Sequence, residues 1–405
     1  MTKIDGGVCA PKGFRASGIH CGIRKNKLKK DLSLIVSDCR AAAAAVYTTN
    51  LVKGAPIAVT KSNISDGYAQ AVICNSGNAN TCNANGEEIA KQMCELTEKY
   101  TNIKSEDVIV ASTGVIGQPL DITPISDGMD PLVKALSYDG SVAAAEGIMT
   151  TDTRLKEIAV KFTAGGKECV IGGIAKGSGM IHPNMATMLV FLTTDVSITP
   201  ELLRLALSED VKDSFNMVSV DGDTSTNDMC CVMANGMAGN EQITDENSAD
   251  FSEFKKALFI VTSYLCRSIA RDGEGATRLI EVEVNGAADK QTARVVAKSV
   301  ACSSLLKAAV FGADANWGRV LCAIGYSGAQ LDVSKIDVDF SSAAGQIAVC
   351  RNGAGVDFSE EKAKEILLCE EIGILISLGS GKDSATAWGC DLTYDYVKIN
   401  GDYRT

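Results

Sequence analysis

Histidine is almost missing from this 405-residue chain, with His20 and His182 the only two. Chemistry that relies on a histidine base therefore has few places to put one. Aromatic residues are also scarce at 5%, which leaves no aromatic binding platform and points to a core of closely packed Ala, Val, Ile and Leu. None of the fifteen cysteines forms a Cys-x-x-Cys pair, so a zinc knuckle is excluded and no metal is expected. No apolar run approaches the roughly 20 residues that span a bilayer. Residues 1–22 mix Lys, Asp, Gly and Pro and lack the apolar centre of a signal peptide. A cytoplasmic protein is expected, with its cysteines kept as thiols and most of them serving as small buried hydrophobes.

Positive charge is in deficit as well. Fifty Asp and Glu face 39 Lys and Arg, for a net charge of -11. Such a surface repels phosphate backbones and anionic lipid, so neither nucleic acid nor membrane is an expected partner. The single basic run, Arg24, Lys25, Lys27, Lys29 and Lys30, has no aromatic interleaved with it and reads as a solvated loop.

What is present alternates between strand and helix patterns, with 38 glycines for turns. Residues 32–36, 71–74 and 108–111 read as strands, the last running directly into Ser112, Thr113 and Gly114. Ile89, Met93 and Leu96 mark one face of a helix over 87–100. Residues 157–162 and 168–175, with Gly165 and Gly166 between them, describe a hairpin. Residues 188–192 form a continuous apolar run, as in a strand buried on both faces. Thr199 and Pro200 begin a helix, and Phe254, Leu258, Val261, Leu265 and Ile269 mark another ending near Gly273. Beyond these, the pattern predicts strands over 277–284, 320–324 and 336–340 and helices over 292–310 and 360–368. The expected fold class is α/β, layered sheets with helices outside.

Familiar catalytic templates fail one by one. Asp221, Asp223, Ser225 and Asp228 suggest a calcium loop, but Thr226 stands where its glycine belongs and Val232 where its closing glutamate belongs. Lys176-Gly-Ser-Gly179 places the lysine ahead of the glycines, the wrong order for a phosphate loop. No Gly-x-Ser-x-Gly elbow occurs. What remains is 176–192, where Thr187 heads the apolar strand. A threonine can use its own α-amino group as the base, since that amine has a pKa of roughly 7.7–8.0 and needs no histidine. Thr187 lies inside the chain, so its amine exists only once the bond from Ala186 is cut. Attack of the Thr187 hydroxyl on the Ala186 carbonyl would give an ester that water hydrolyses, and small Ala186 leaves room for it.

The run 176–192 resembles the self-processing segment of the ornithine acetyltransferases, also called glutamate N-acetyltransferases. Other motifs agree along almost the entire chain: Gly7-Val-Cys-Ala-Pro-Lys-Gly-Phe-Arg15, Cys74-Asn-Ser-Gly-Asn-Ala-Asn80, Ser112-Thr-Gly-Val-Ile-Gly117, Asp221-Gly-Asp-Thr-Ser-Thr-Asn-Asp228, Gly312-Ala-Asp-Ala-Asn-Trp-Gly-Arg319 and Ile399-Asn-Gly-Asp-Tyr-Arg-Thr405. The resemblance implies an N-terminal-nucleophile-like site, self-cleavage at Ala186-Thr187 into an α segment 1–186 and a β segment 187–405, and a heterotetramer of two α and two β chains. It implies ping-pong transfer of acetyl from N-acetylornithine to glutamate through Thr187. Thr113 and Gly114 match the family's oxyanion hole, and Thr150, Lys176, Thr187, Glu274, Asn400 and Thr405 its substrate-binding positions. On charge, Lys176 suits a substrate carboxylate and Glu274 the ornithine side-chain ammonium. No cofactor is implied, and the sequence leaves open whether acetyl-CoA is a further donor. Two rival readings are a self-processing aminopeptidase or amidase, with water as acceptor, and a nonenzymatic amino-acid-binding protein.

Overall fold

The computed structural model describes residues 1–182 and 188–402, and therefore neither Ala186, Thr187 nor Thr405. Its strands are β1 (Thr2–Ile4), β2 (Phe14–Ile19), β3 (Leu32–Tyr47), β4 (Tyr68–Asn78), β5 (Val108–Val115), β6 (Lys156–Ala164), β7 (Lys167–Lys176), β8 (Leu189–Thr194), β9 (Val218–Ser219), β10 (Met229–Ala234), β11 (Leu279–Ala287), β12 (Asp337–Ser342), β13 (Gly345–Arg351), β14 (Ala354–Gly355), β15 (Glu371–Ser377) and β16 (Asp383–Cys390). Its α-helices are α1 (Ala55–Asn63), α2 (Gly86–Thr101), α3 (Thr123–Lys134), α4 (Ser141–Ile148), α5 (Pro200–Asp210), α6 (Ala249–Arg271), α7 (Lys290–Cys302), α8 (Ser304–Phe311), α9 (Trp317–Gly325), α10 (Glu360–Leu367) and α11 (Tyr394–Asp402).

Two sheets result. The larger runs β1-β6-β7-β8-β10-β3-β4-β5, with β2 also paired to β3, and the smaller runs β14-β13-β12-β15-β11-β16-β9. Both are mixed: β8 lies parallel to β10 and β4 parallel to β5, while β7 and β8 are antiparallel. Strand β8 is buried at every position, as expected of an apolar run between two neighbours. Because it sits between β7 and β10, stretches from either side of residue 187 build one continuous sheet.

The hairpin β6–β7 turns on Gly165 and Gly166, at φ of 55° and 68°, the left-handed pair that a two-residue hairpin requires. Helix α6 begins where the Ser248 side chain accepts from the Phe251 amide at 3.1 Å. It buries Phe254, Leu258, Val261, Leu265 and Ile269 along one face. This helix packs on β6 and β7 of the large sheet and on β11 and β16 of the small one. It therefore lies between the layers, where helices only on the outside were expected. Helices α2 and α3 cover the far end of the large sheet over Ile73, Val108 and Val110.

Two further sequence expectations are corrected. Residues 320–324 are not a strand but the body of α9, whose start is capped by the Asn316 side chain accepting from the Arg319 amide at 3.2 Å. Its buried residues, Val320, Ala323 and Ile324, fall at spacings of three and four, the helical period. The single helix expected over 292–310 is two, α7 and α8. Ser303 leaves the helical conformation between them, with φ -66° and ψ 107°, and caps the second by accepting from the Leu306 amide.

The contact between α6 and the large sheet generates a stability prediction. Phe254 is fully buried with its ring 6.1 Å from that of Phe162 on β6. Phe254→Ala should cost about 3–5 kcal/mol. A thermal midpoint several degrees lower is expected, and an unchanged midpoint would show that this contact does not hold the layers.

Candidate active site

The parallel pair β4 and β5 ends in polar residues that would be wasted in a purely structural strand. Ser76 stands opposite Thr113 and Gly77 opposite Gly114. Gly114 has φ 133°, and any side chain there would strike the Gly77 backbone, so only glycine lets the two strand ends approach this closely. A network locks the pair in place. The Ser112 hydroxyl donates to Asn75 Oδ1 at 2.6 Å, and Asn75 Nδ2 donates to the Asn78 carbonyl at 2.9 Å. Asn227 Nδ2 donates to the carbonyls of Ser112, at 2.9 Å, and Ala79, at 2.5 Å.

The second wall comes from the end of β7. Lys176 is buried, and its ammonium lies 3.4 Å from the Thr113 hydroxyl oxygen. An ammonium only donates, so the Thr113 oxygen accepts from it and keeps its own proton for a ligand. Burial lowers the pKa of Lys176, against the opposing pull of Asp152.

Behind Lys176 lies a fully buried ionic knot. Lys156 reaches Asp152 at 2.7 Å and Asp272 at 2.5 Å, and none of the three side chains is more than 2% exposed. Burial alone would raise the Asp152 carboxyl, but the charges of Lys156 and Lys176, with hydrogen bonds from Lys156 and the Gly177 amide, hold it well below the usual carboxylate range. Asp152 also accepts from the Thr150 amide at 2.9 Å and the Gly177 amide at 2.7 Å. Asp272 accepts from the Thr153 hydroxyl and amide. The knot thus ties the Thr150 loop, the chain after β7 and the end of α6 together.

From there the chain turns into the site. Ser178 donates to the Asp272 carbonyl at 2.6 Å, and the Glu274 amide donates to the Ser178 carbonyl at 3.0 Å. Gly179 leaves the space that the Glu274 carboxylate fills. Met180 follows with φ 55°, unusual for a residue with a side chain, and its amide donates to Asp221 at 2.7 Å. Asp221, Thr224 and Asn227 thus make the 221–228 loop a clamp on its neighbours, with Asp221 also accepting from the Ile181 amide and the Thr224 hydroxyl donating to the His182 carbonyl. On α11, Asn400 Nδ2 donates to Glu274 Oε2 at 2.8 Å.

These elements enclose a cavity of about 170 Å³ lined by Thr113, Gly114, Thr150, Lys176, Glu274 and Asn400, with Ile116, Thr151, Gly179, Met180 and Ser225 between them. At about 30 Å³ per water, the space suits a ligand of amino-acid size. One side carries the Lys176 cation and another the Glu274 anion, with hydroxyls and an amide between, a set matched to a zwitterion. Larger hollows exist elsewhere, but none gathers these groups. Six of the residues singled out from the sequence meet here. Thr187, Ala186 and Thr405 lie outside the described residues, and the described chain resumes at Met188. The sequence reading missed the Asp152–Lys156–Asp272 knot and the lining residues Thr151, Met180 and Ser225. Asp152, two positions after Thr150, was the nearest available signal.

A family model described as the ArgJ family matches residues 15–405. The chain is 50% identical over its full length to the whole of the arginine biosynthesis bifunctional protein ArgJ of Caldanaerobacter subterraneus subsp. tengcongensis. It is 47% identical to the protein of that name from Bacillus subtilis, covering all of this chain and 98% of that one. Among solved structures, it is similar to the arginine biosynthesis bifunctional protein argJ of Bacillus halodurans, at 49% identity and a TM-score of 0.51, over 54% of this chain and all of that one.

The ionic knot is open to a direct test. Lys156→Met leaves Asp152 and Asp272 buried without their cation, a change that typically costs about 3–5 kcal/mol. A clearly lower thermal midpoint is expected, and a midpoint equal to that of the unaltered protein would mean that the knot does not support the cavity.

Proposed function

The chain belongs to the ArgJ family, and we propose that it transfers an acetyl group from N-acetylornithine to glutamate, using Thr187 freed by self-cleavage as the nucleophile. It is an enzyme of arginine biosynthesis, a transferase like the bifunctional relatives it matches. The observation that carries the mechanism is the cavity that sets Lys176 and Glu274 around the Thr113–Gly114 turn.

Processing comes first. The Thr187 hydroxyl oxygen bonds to the Ala186 carbonyl carbon, the Ala186–Thr187 C–N bond breaks, and the hydroxyl proton ends on the freed nitrogen. Water then hydrolyses the ester, leaving 1–186 and 187–405 as separate chains that remain associated through the shared large sheet. The B. halodurans structure supports this reading, because its complete chain corresponds to 54% of the sequence, the share that 187–405 makes up.

In the transfer half-reactions the Thr187 amine takes the hydroxyl proton as the oxygen attacks the acetyl carbonyl. Negative charge builds on the carbonyl oxygen, where the Thr113 hydroxyl and the Gly114 amide are the donors. The acetyl C–N bond breaks, the stored proton passes to the departing ornithine nitrogen, and acetyl-threonine remains. Glutamate then attacks that ester through its amine and leaves as N-acetylglutamate. Lys176 pairs with a substrate carboxylate, and Glu274, steadied by Asn400, with the ammonium of the ornithine side chain. Thr150 lines the pocket, and Thr405 is a further substrate-binding residue on the strength of the family resemblance alone.

No cofactor takes part, and acetyl-CoA serves as a second donor to the same threonine. The working unit is a heterotetramer of two α and two β chains in the cytoplasm, acting on small amino-acid substrates. Among the described residues, no helix is long and apolar enough to cross a membrane.

Expressed enzyme should run as two pieces on a denaturing gel, whereas Thr187→Ala should give one band at 42.5 kDa and no acetyl transfer. A Thr187→Ala protein that exchanges acetyl groups at full speed would overturn the proposal. Thr113→Val should lower kcat by about 10²- to 10³-fold, the usual loss for one oxyanion donor, with processing scored separately. Assays of glutamate with N-acetylornithine alone, and with acetyl-CoA alone, should both yield N-acetylglutamate. Release of free acetate in place of transfer would instead identify an amidase.

A further inference from the structure

Met180 lines the cavity with its backbone at φ 55°, in the left-handed region where a residue with a side chain is at a disadvantage to glycine. Such a conformation persists only where the surroundings impose it. Here one carboxylate does so. Asp221 Oδ2 accepts from the Met180 amide at 2.7 Å, and Asp221 Oδ1 accepts from the Ile181 amide at 2.8 Å. A left-handed residue turns successive amides to one side, where a single anion can take both.

Asp221 is itself fixed. Its Oδ1 also accepts from the Asp223 amide at 3.3 Å. The residue before it, Val220, donates its amide to the Ile181 carbonyl at 2.7 Å, and its own carbonyl accepts from the ammonium of buried Lys307. Ile181 pairs in addition with Thr224 as an antiparallel bridge. The chain after residue 180 is thus held by the 220–224 segment.

The two residues ahead of the turn carry Glu274. The Ser178 carbonyl accepts from the Glu274 amide at 3.0 Å, and a Cβ on Gly179 would lie 2.4 Å from the Glu274 carboxyl carbon, so the carboxylate rests directly against the Gly179 backbone. On α11, Asn400 donates to Glu274 Oε2 at 2.8 Å. Because Ile181 is held, relaxation of residue 180 out of the left-handed region would move Gly179, and the carboxylate would lose that support.

We propose that Asp221 is a positioning residue for recognition of the substrate's side-chain ammonium: by holding residue 180 left-handed it keeps the Gly179 backbone against Glu274 and so sets where the Glu274 carboxylate stands. The inference rests on the pairing of Glu274 with the ornithine ammonium proposed above. Asp221 acts here through the backbone and not on the substrate.

The test is calorimetric titration of self-processed enzyme with ornithine and with glutamate, which lacks the side-chain ammonium. Asp221→Ala should weaken ornithine binding about tenfold, the order set by the left-handed penalty of a residue with a side chain, and glutamate binding by less than about threefold. Adding Met180→Gly to Asp221→Ala should bring the ornithine affinity back to within about threefold, because glycine takes this conformation freely. Adding Met180→Ala, which removes the same side chain but keeps a Cβ, should leave it as weak as in Asp221→Ala. Three results overturn the proposal: ordinary ornithine affinity in Asp221→Ala, equal losses for ornithine and glutamate, or equal ornithine affinities in the two double variants. Should Asp221→Ala not fold or not self-process, Asp221→Asn decides, since it offers one carbonyl oxygen to two amides. A loss in ornithine affinity of about threefold or more that Met180→Gly reverses is then expected, and an unchanged affinity overturns the idea. An unaltered enzyme that binds glutamate but not ornithine would instead refute the reading of Glu274 itself, and the proposal with it.

Discussion

Three charges shut away from water hold the cavity in shape. Lys156 bridges Asp152 and Asp272, and through those two carboxylates it joins the loop carrying Thr150, the chain leaving β7 at Lys176 and the end of α6 just before Glu274. A buried ion pair is weak evidence for stability, because desolvation offsets much of the attraction. Its value here is geometric. With one cation satisfying two acids, each carboxylate has oxygens left to accept from backbone amides, and those amides belong to the segments that carry the cavity-lining groups. Displacing Lys156 would leave Asp272 without its cation and Asp152 with only the charge of Lys176, so the arrangement resists partial opening.

Around that knot, missing side chains matter as much as those present. Gly114 lets the end of β5 lie directly on Gly77, and Gly179 makes room for the Glu274 carboxylate. Both are places where a methyl group would collide with backbone or with the acid itself. Lys176 belongs to both systems: it is coupled to Asp152 behind and touches the Thr113 oxygen in front. The same residue that shapes the electrostatics of the knot thus orients the Thr113 hydroxyl at the cavity wall. The 221–228 loop, which from its acids resembles a calcium loop, spends Asp221 on the Met180 and Ile181 amides.

Periodicity read most of the elements correctly where one face meets the core, as in α2, α6 and the β6–β7 hairpin. It failed over 320–324, where a short apolar run looks the same in a strand and a helix and only the Asn316 cap breaks the tie. It was silent over 41–45, five consecutive alanines that are intrinsically strong helix formers. They lie in β3 because β10 and β4 pair on either side of them, and small side chains let layers close on both faces.

Motif order alone determined the family, because motifs spread over nearly the whole chain match one family. Thr113, Gly114, Thr150, Lys176, Glu274 and Asn400 were named from that resemblance before any geometry. Only the tertiary structure decided what supports them. Lys156 and Asp272 are 116 residues apart, and Asn400 and Glu274 are 126 apart. Contacts across such separations leave no local pattern, because periodicity records only which face of its own element a residue occupies. Likewise, the 221–228 motif does not say that Asp228 is buried, because that follows from the pairing of β10 with β3 and β8 beside it.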